Sequence, residues 1–156
     1  MEISQILKEQ EFFSGISQNN INLISESATI KKVNKDNYIF KICEEAKKFY
    51  LIIKGKVSLE FEIENKIISL EIINNGEILG WSWQFPPYKW NFSARAIEDT
   101  ELLEFDVEKF YEKCNVNLLL AYELQKRFSK IMLKRLQATR RKLIEVIQEK
   151  NNEKNT

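Results

Sequence analysis

The sequence predicts a mainly β fold of the α+β class: an antiparallel sandwich or barrel, preceded by short helices and followed by one long helix. Two patterns carry this. Between Thr29 and Phe105, short runs rich in Ile, Val, Phe and Tyr recur, separated by turn-forming clusters. From Val116 the spacing becomes helical, with no Gly or Pro up to Lys150. A chain of 156 residues, 44% hydrophobic and 12% aromatic, is one domain's worth and can bury a core without disulfides or metal.

Ile3 to Lys8 suits one or two helical turns. Phe12-Phe13 and the turn Ser14-Gly15-Ile16 lead to Ser17, an N-cap candidate for a helix from Gln18 to Ala28 with Ile21, Ile24 and Ala28 on one face. The predicted strands are Ile30–Val33, Tyr38–Ile42, Phe49–Lys54, Lys56–Ile63, Lys66–Ile73, Asn91–Ile97 and Glu101–Phe105. Val57, Leu59, Phe61 and Ile63 alternate with Ser58, Glu60 and Glu62, as a half-buried strand requires, and Glu64-Asn65 reads as a hairpin tip. Asp106 or Val107 opens a short helix to Cys114.

The long helix carries an apolar seam through Ala121, Leu124, Phe128 and Ile131, which restarts one residue on with Met132, Leu136, Thr139, Leu143 and Val146. At about 1.5 Å per residue it spans about 50 Å, more than a small β domain can cover. A second copy is the economical cover, so residues 116–150 are expected to form a dimerisation helix after a β domain over 1–115, with 151–156 a frayed polar tail.

Composition removes several function classes. With no histidine there is no Ser-His-Asp triad, His-containing zinc site, HExxH helix or proximal-His haem. Cys43 and Cys114 cannot build a disulfide framework and form no C-x-x-C pair. No apolar run approaches the roughly 20 residues of a membrane span, and M-E-I-S-Q is not a signal peptide. A cytoplasmic, non-enzymatic protein without a cofactor is the expectation. Glu44-Glu45, Asp36 and Glu98-Asp99 read as turn carboxylates. From Leu118 onward the chain carries ten Lys or Arg against four Glu, while the rest is net −5. Lys126, Arg127, Lys130, Lys134, Arg135 and Arg140-Arg141-Lys142 therefore read as the solvated face of a helix, or in a minority reading as a basic rod for phosphates.

Four words in order resemble the cyclic-nucleotide-binding domain family, as in regulators of the catabolite-activator type. They are E-F-F-S-G-I-S (11–17), F-Y-L-I-I-K-G-K-V-S-L (49–59) around Gly55, N-G-E-I-L-G (75–80) and S-A-R-A-I-E-D-T-E-L-L-E-F-D (93–106). The resemblance implies a double-stranded β-roll or jelly roll, a ligand cassette with a short helix between Gly80 and Ser93, and a dimerising C-terminal helix. No helix-turn-helix follows before Thr156, so direct sequence-specific DNA binding by that route is not expected.

The family cassette carries a glutamate for the ribose hydroxyl and an arginine for the cyclic phosphate. Here Trp81 stands where the glutamate belongs and Trp90 where the arginine belongs, with Asn91 the alternative if the gap shifts by one. Gly76-Glu77 matches the preceding turn, and Arg95 lies beyond the cassette on the strand face opposite Trp90, Phe92 and Ala94. Losing both polar contacts costs about 4 kcal/mol or more, roughly a thousandfold in affinity, while stacking a base on an indole returns about 1–3 kcal/mol. Useful cAMP or cGMP binding is therefore not expected.

Trp81, Trp83, Trp90, Pro86 and Pro87 lie within ten residues, with Phe85, Tyr88 and Phe92 beside them. One reading has these aromatics collapse and plug the pocket of a constitutive dimeric adaptor. The other has them line a slot for an unknown small aromatic or lipidic effector, with Gly80, Ser82, Lys89, Asn91 and Ser93 at its polar end. Filling a cage of Trp81, Trp83 and Trp90 would then reorient the short helix against the C-terminal helices, paired through Leu124, Phe128, Ile131, Met132, Leu136 and Leu143, and a partner protein would read the altered dimer.

Overall fold

A computed structural model describes residues 2–156. Helix α1 (Ile3–Lys8), a 3-10 turn (Glu11–Phe13) and α2 (Gln18–Ser25) precede the strands, and the Ser17 side chain caps α2 by accepting from the Asn20 N–H. The strands are β1 (Ala28–Val33), β2 (Tyr38–Phe40), β3 (Lys48–Lys54), β4 (Val57–Ile63), β5 (Lys66–Ile73), β6 (Ile78–Leu79), β7 (Ser93–Ala96) and β8 (Thr100–Asp106). Helices α3 (Val107–Cys114) and α4 (Leu118–Lys154) close the chain.

The strands form two four-stranded antiparallel sheets, ordered β1-β8-β3-β6 and β2-β7-β4-β5, the two-sheeted roll. Glu64 and Asn65 both take positive φ at the β4–β5 tip, the geometry of a tight two-residue hairpin. Gly55 turns β3 into β4 at φ +107°, where a Cβ would lie 2.5 Å from Thr100 Oγ1.

Several boundaries differ from the sequence reading. Helix α2 stops at Ser25, and Ala28 already pairs with Phe105 in β1. Strand β2 stops at Phe40, because Ile42 donates its N–H to Ser93 Oγ and Cys43 turns with positive φ. The two-residue β6 carries no alternation long enough to be read. Strand β4 is not half-exposed: Ser58 and Glu60 on its outer face are buried, Ser58 against Ser69 and Glu60 under Arg95. Helix α4 runs past Lys150 to Lys154, so most of the expected frayed tail is its last turn.

Phenylalanines join roll and helices. Phe49 of β3 stacks on Phe105 of β8, with centroids 4.4 Å apart, and meets Phe110 of α3 and Phe128 of α4 edge-on. Helix α4 lays Leu120, Leu124, Phe128, Arg135 and Ala138 on the roll, and none of its residues beyond Ala138 is buried. Leu124 and Phe128, expected in the dimer seam, are thus intramolecular core residues, and Ile131 packs partly against the same core. The outward stripe is Leu133, Leu136, Leu143, Ile144 and Ile147, with Leu136 67% exposed. Among the described residues no helix is long and apolar enough to cross a membrane.

Candidate functional site

The cassette loop between β6 and β7 begins at Gly80, whose φ of +100° excludes most side chains and whose missing Cβ makes room for Trp90. A Cβ there would come within 2.7 Å of the Trp90 indole. A single 3-10 turn, Ser82–Gln84, takes the place of the expected short helix. The loop's far limb is held by backbone: the Ala46 N–H donates to the Tyr88 carbonyl, Trp90 N–H to Glu44 O, and Cys43 N–H to Trp90 O.

The backbone thus points Trp90 into the roll, where its indole stacks on Phe40 with centroids 3.7 Å apart at 11° and is only 5% exposed. The space left among Phe40, Leu59, Leu79, Gly80 and Trp90 is about 20 Å³. That is room for about one water, against about 300–1,000 Å³ for small-molecule pockets.

Gly80, Trp81, Ser82, Trp90, Asn91 and Phe92 all border this remnant, but Trp83, Lys89 and Ser93 do not. Trp83 points the other way. It stacks on Phe49 at 5.3 Å, meets Phe110, Tyr111 and Phe128 edge-on, and donates its indole N–H to the Gly80 carbonyl. The three tryptophans therefore form no common cage: Trp81, just before the 3-10 turn, borders the remnant, while Trp83, two positions on within it, faces the helices. Lys89 is exposed on a bridge to Glu45, and Ser93 is engaged by the Ile42 N–H. Arg95 is committed to Glu60 and Asp36 on the outer face of the second sheet, the Glu60 hydrogen bonds holding its guanidinium above the usual arginine range.

A cation the cassette reading did not foresee reaches the remnant. Arg135 of α4, 6% exposed, borders it and pairs with Glu71 of β5. Burial works against its charge and lowers its pKa, while Glu71 works in its favour. Taken as part of a solvated basic face, Arg135 instead continues the roll-facing spacing Leu124, Phe128, Ile131, a signal present in the sequence. Its charge is spent on Glu71. A wider cavity of about 400 Å³ lies between α4, β5 and the first 3-10 turn. There Arg127 donates to the Phe12 and Ser14 carbonyls, Glu77 accepts from the Asn74 N–H, and Arg135 pairs with Glu71.

Comparison with known proteins agrees with this architecture. The chain is 27% identical over 131 residues to the anaerobic regulatory protein of Bacillus subtilis (strain 168), covering 83% of this chain and 55% of that one. It therefore spans about half the length of the curated relative it matches. Among solved structures, a cyclic nucleotide-binding domain from Methylobacillus flagellatus superposes with a TM-score of 0.77 at 18% identity, covering 92% of this chain and 82% of that one. The sensor domain of the transcriptional regulator DNR from Pseudomonas aeruginosa superposes at 0.70 with 22% identity, covering 88% and 95%. The catabolite activator protein of Thermus thermophilus does so at 0.69 with 23% identity, covering 86% and 62%. Residues 30–117, more than half the chain, match the model of the cyclic nucleotide-binding domain, and the chain belongs to that family.

Proposed function

We propose that this chain is a dimeric, non-enzymatic regulatory domain that does not take cAMP or cGMP in the ordinary cavity of its fold. The observation that carries the reading is the Trp90–Phe40 stack over Gly80, which leaves about 20 Å³ where a nucleotide would need several hundred. Of the two readings the aromatic loop allows, the plugged cassette has the support of this packing. An indole seated in the core returns its burial energy to the fold and leaves a ligand nothing to displace cheaply.

Dimerisation is supported by α4. Its roll-facing stripe is satisfied within the chain, while Leu133, Leu136, Leu143, Ile144 and Ile147 remain exposed along a rod too long for the roll to cover. The paired helices would present a constant surface to a protein partner. Trp83 packs edge-on against Phe128, joining the cassette turn to α4. Titration calorimetry with cAMP and cGMP tests the sealed cavity: no saturable heat is expected, and a micromolar dissociation constant for either nucleotide would overturn it.

A further inference from the structure

The cavity of about 400 Å³ where α4 passes β5 and the first 3-10 turn has the volume of a small-molecule pocket. Arg135 is the one residue it shares with the sealed remnant. No residue of the exposed apolar stripe of α4 lines it, so the dimer seam does not claim it.

The charges of its walls are sorted by element. All four cations come from α4: Arg127, Lys130 and Lys134 at the three- and four-residue spacing of one helix flank, and Arg135 beside them. All three carboxylates come from the segments opposite: Glu11 of the 3-10 turn, Glu71 of β5 and Glu77 just before β6. Arg135 is buried and paired with Glu71, and Arg127 is taken up by two backbone carbonyls. Lys130 and Lys134 then remain on one wall, and Glu11 and Glu77 on the other. Among the described residues none of these four has an ion-pair partner. The floor between them is apolar: Ile73 and Ile78 are buried, and Phe12 and Ile131 pack against the core.

Opposite charges facing each other over an apolar floor select by exclusion. An anion would meet Glu11 and Glu77, a cation would meet Lys130 and Lys134, and a neutral hydrocarbon would leave all four unanswered. A zwitterion laid across the gap answers both walls, and an apolar side chain covers the floor. We propose that this cavity binds a free amino acid with an apolar side chain, its carboxylate toward Lys130 and Lys134 and its ammonium toward Glu11 and Glu77. Such a ligand would bridge α4 to the N-terminal turn and the roll, an input that the sealed cavity does not offer. The proposal does not rest on the sealed cavity, and its failure would leave the reading above intact.

Titration calorimetry on the full chain tests it with L-leucine and L-phenylalanine as probes. Isocaproate and isoamylamine keep the leucine side chain but lack its ammonium and its carboxylate respectively. Saturable binding of one amino acid per protomer is expected, with each analogue at least about tenfold weaker than L-leucine. Lys130→Gln combined with Lys134→Gln should weaken L-leucine about tenfold and erase its advantage over isoamylamine. Glu11→Gln should narrow its advantage over isocaproate. All three side chains are exposed, and circular dichroism checks that each variant keeps its fold. Absence of saturable heat with either amino acid would overturn the proposal and leave these charges a solvated seam. An analogue that matches L-leucine on the parent protein, or lysine variants that bind L-leucine as tightly as the parent, would overturn it as well.

Discussion

The indole of Trp90 lies flat on the ring of Phe40, and the edge of that indole occupies the space a side chain on Gly80 would need. Glycine and tryptophan are thus one device: the first is bare so that the second can close the roll. Trp90→Ala should remove about 3–5 kcal/mol, as measured by chemical denaturation. Gly80→Ala should cost about 2–4 kcal/mol, from its positive φ and the overlap together, but only about 1 kcal/mol when Trp90 is already Ala. A double-mutant cycle that adds without coupling would refute the device.

Trp83 does different work from Trp90 despite lying seven positions away in the same loop. Its contacts are Phe49, Phe110, Tyr111 and Phe128, so truncation should loosen helices before strands. In Trp83→Ala, hydrogen exchange should speed up first in α3 and the opening turns of α4. Uniform loss of protection across the sheets would speak against this assignment.

The two stripes of α4 can be separated by substitution. Leu136→Glu with Leu143→Glu should give a folded monomer by circular dichroism and sedimentation, because both side chains are mostly exposed within one chain. Leu124→Ala should instead lower protomer stability by about 2–5 kcal/mol and leave association intact. A parent protein that sediments as a monomer at tens of micromolar would remove the basis for the pairing.

The two thiols should differ in reactivity. Cys43 is exposed at a turn, whereas burial in the core pushes the Cys114 thiol up to about 11. At pH 8 an aromatic disulfide reagent should titrate one thiol per chain quickly and the second only in denaturant.

Acid should weaken the first sheet through Glu104. Burial alone would raise its pKa, but hydrogen bonds and charge from Lys48 and Lys31 outweigh burial and hold it below the usual carboxylate value. A folded pKa below the unfolded one means its contribution is complete above the unfolded value, about 4.3, and is lost as pH falls through the folded value. Both lysines are partly exposed, so the contribution is about 1 kcal/mol. Denaturation of Glu104→Gln across pH 2 to 7 (roughly the carboxylate range) should show a shallower acid decline than the parent.

The runs of strand residues, the Ser17 cap, the Glu64-Asn65 tip and the order of the family words were legible in the sequence because each rests on near neighbours along the chain. The direction each tryptophan faces was not legible. It depends on a 3-10 turn and on backbone bonds from Cys43, Glu44 and Ala46, which are distant in sequence. The one-residue break in the α4 seam was visible, but its meaning was not. The seam's second half follows a different, exposed stripe, while the roll-facing stripe itself continues through Arg135 to Ala138, and only the packed sheets show which stripe is already covered. Periodicity states that a face is apolar. What covers it is decided by where the rest of the chain comes to lie.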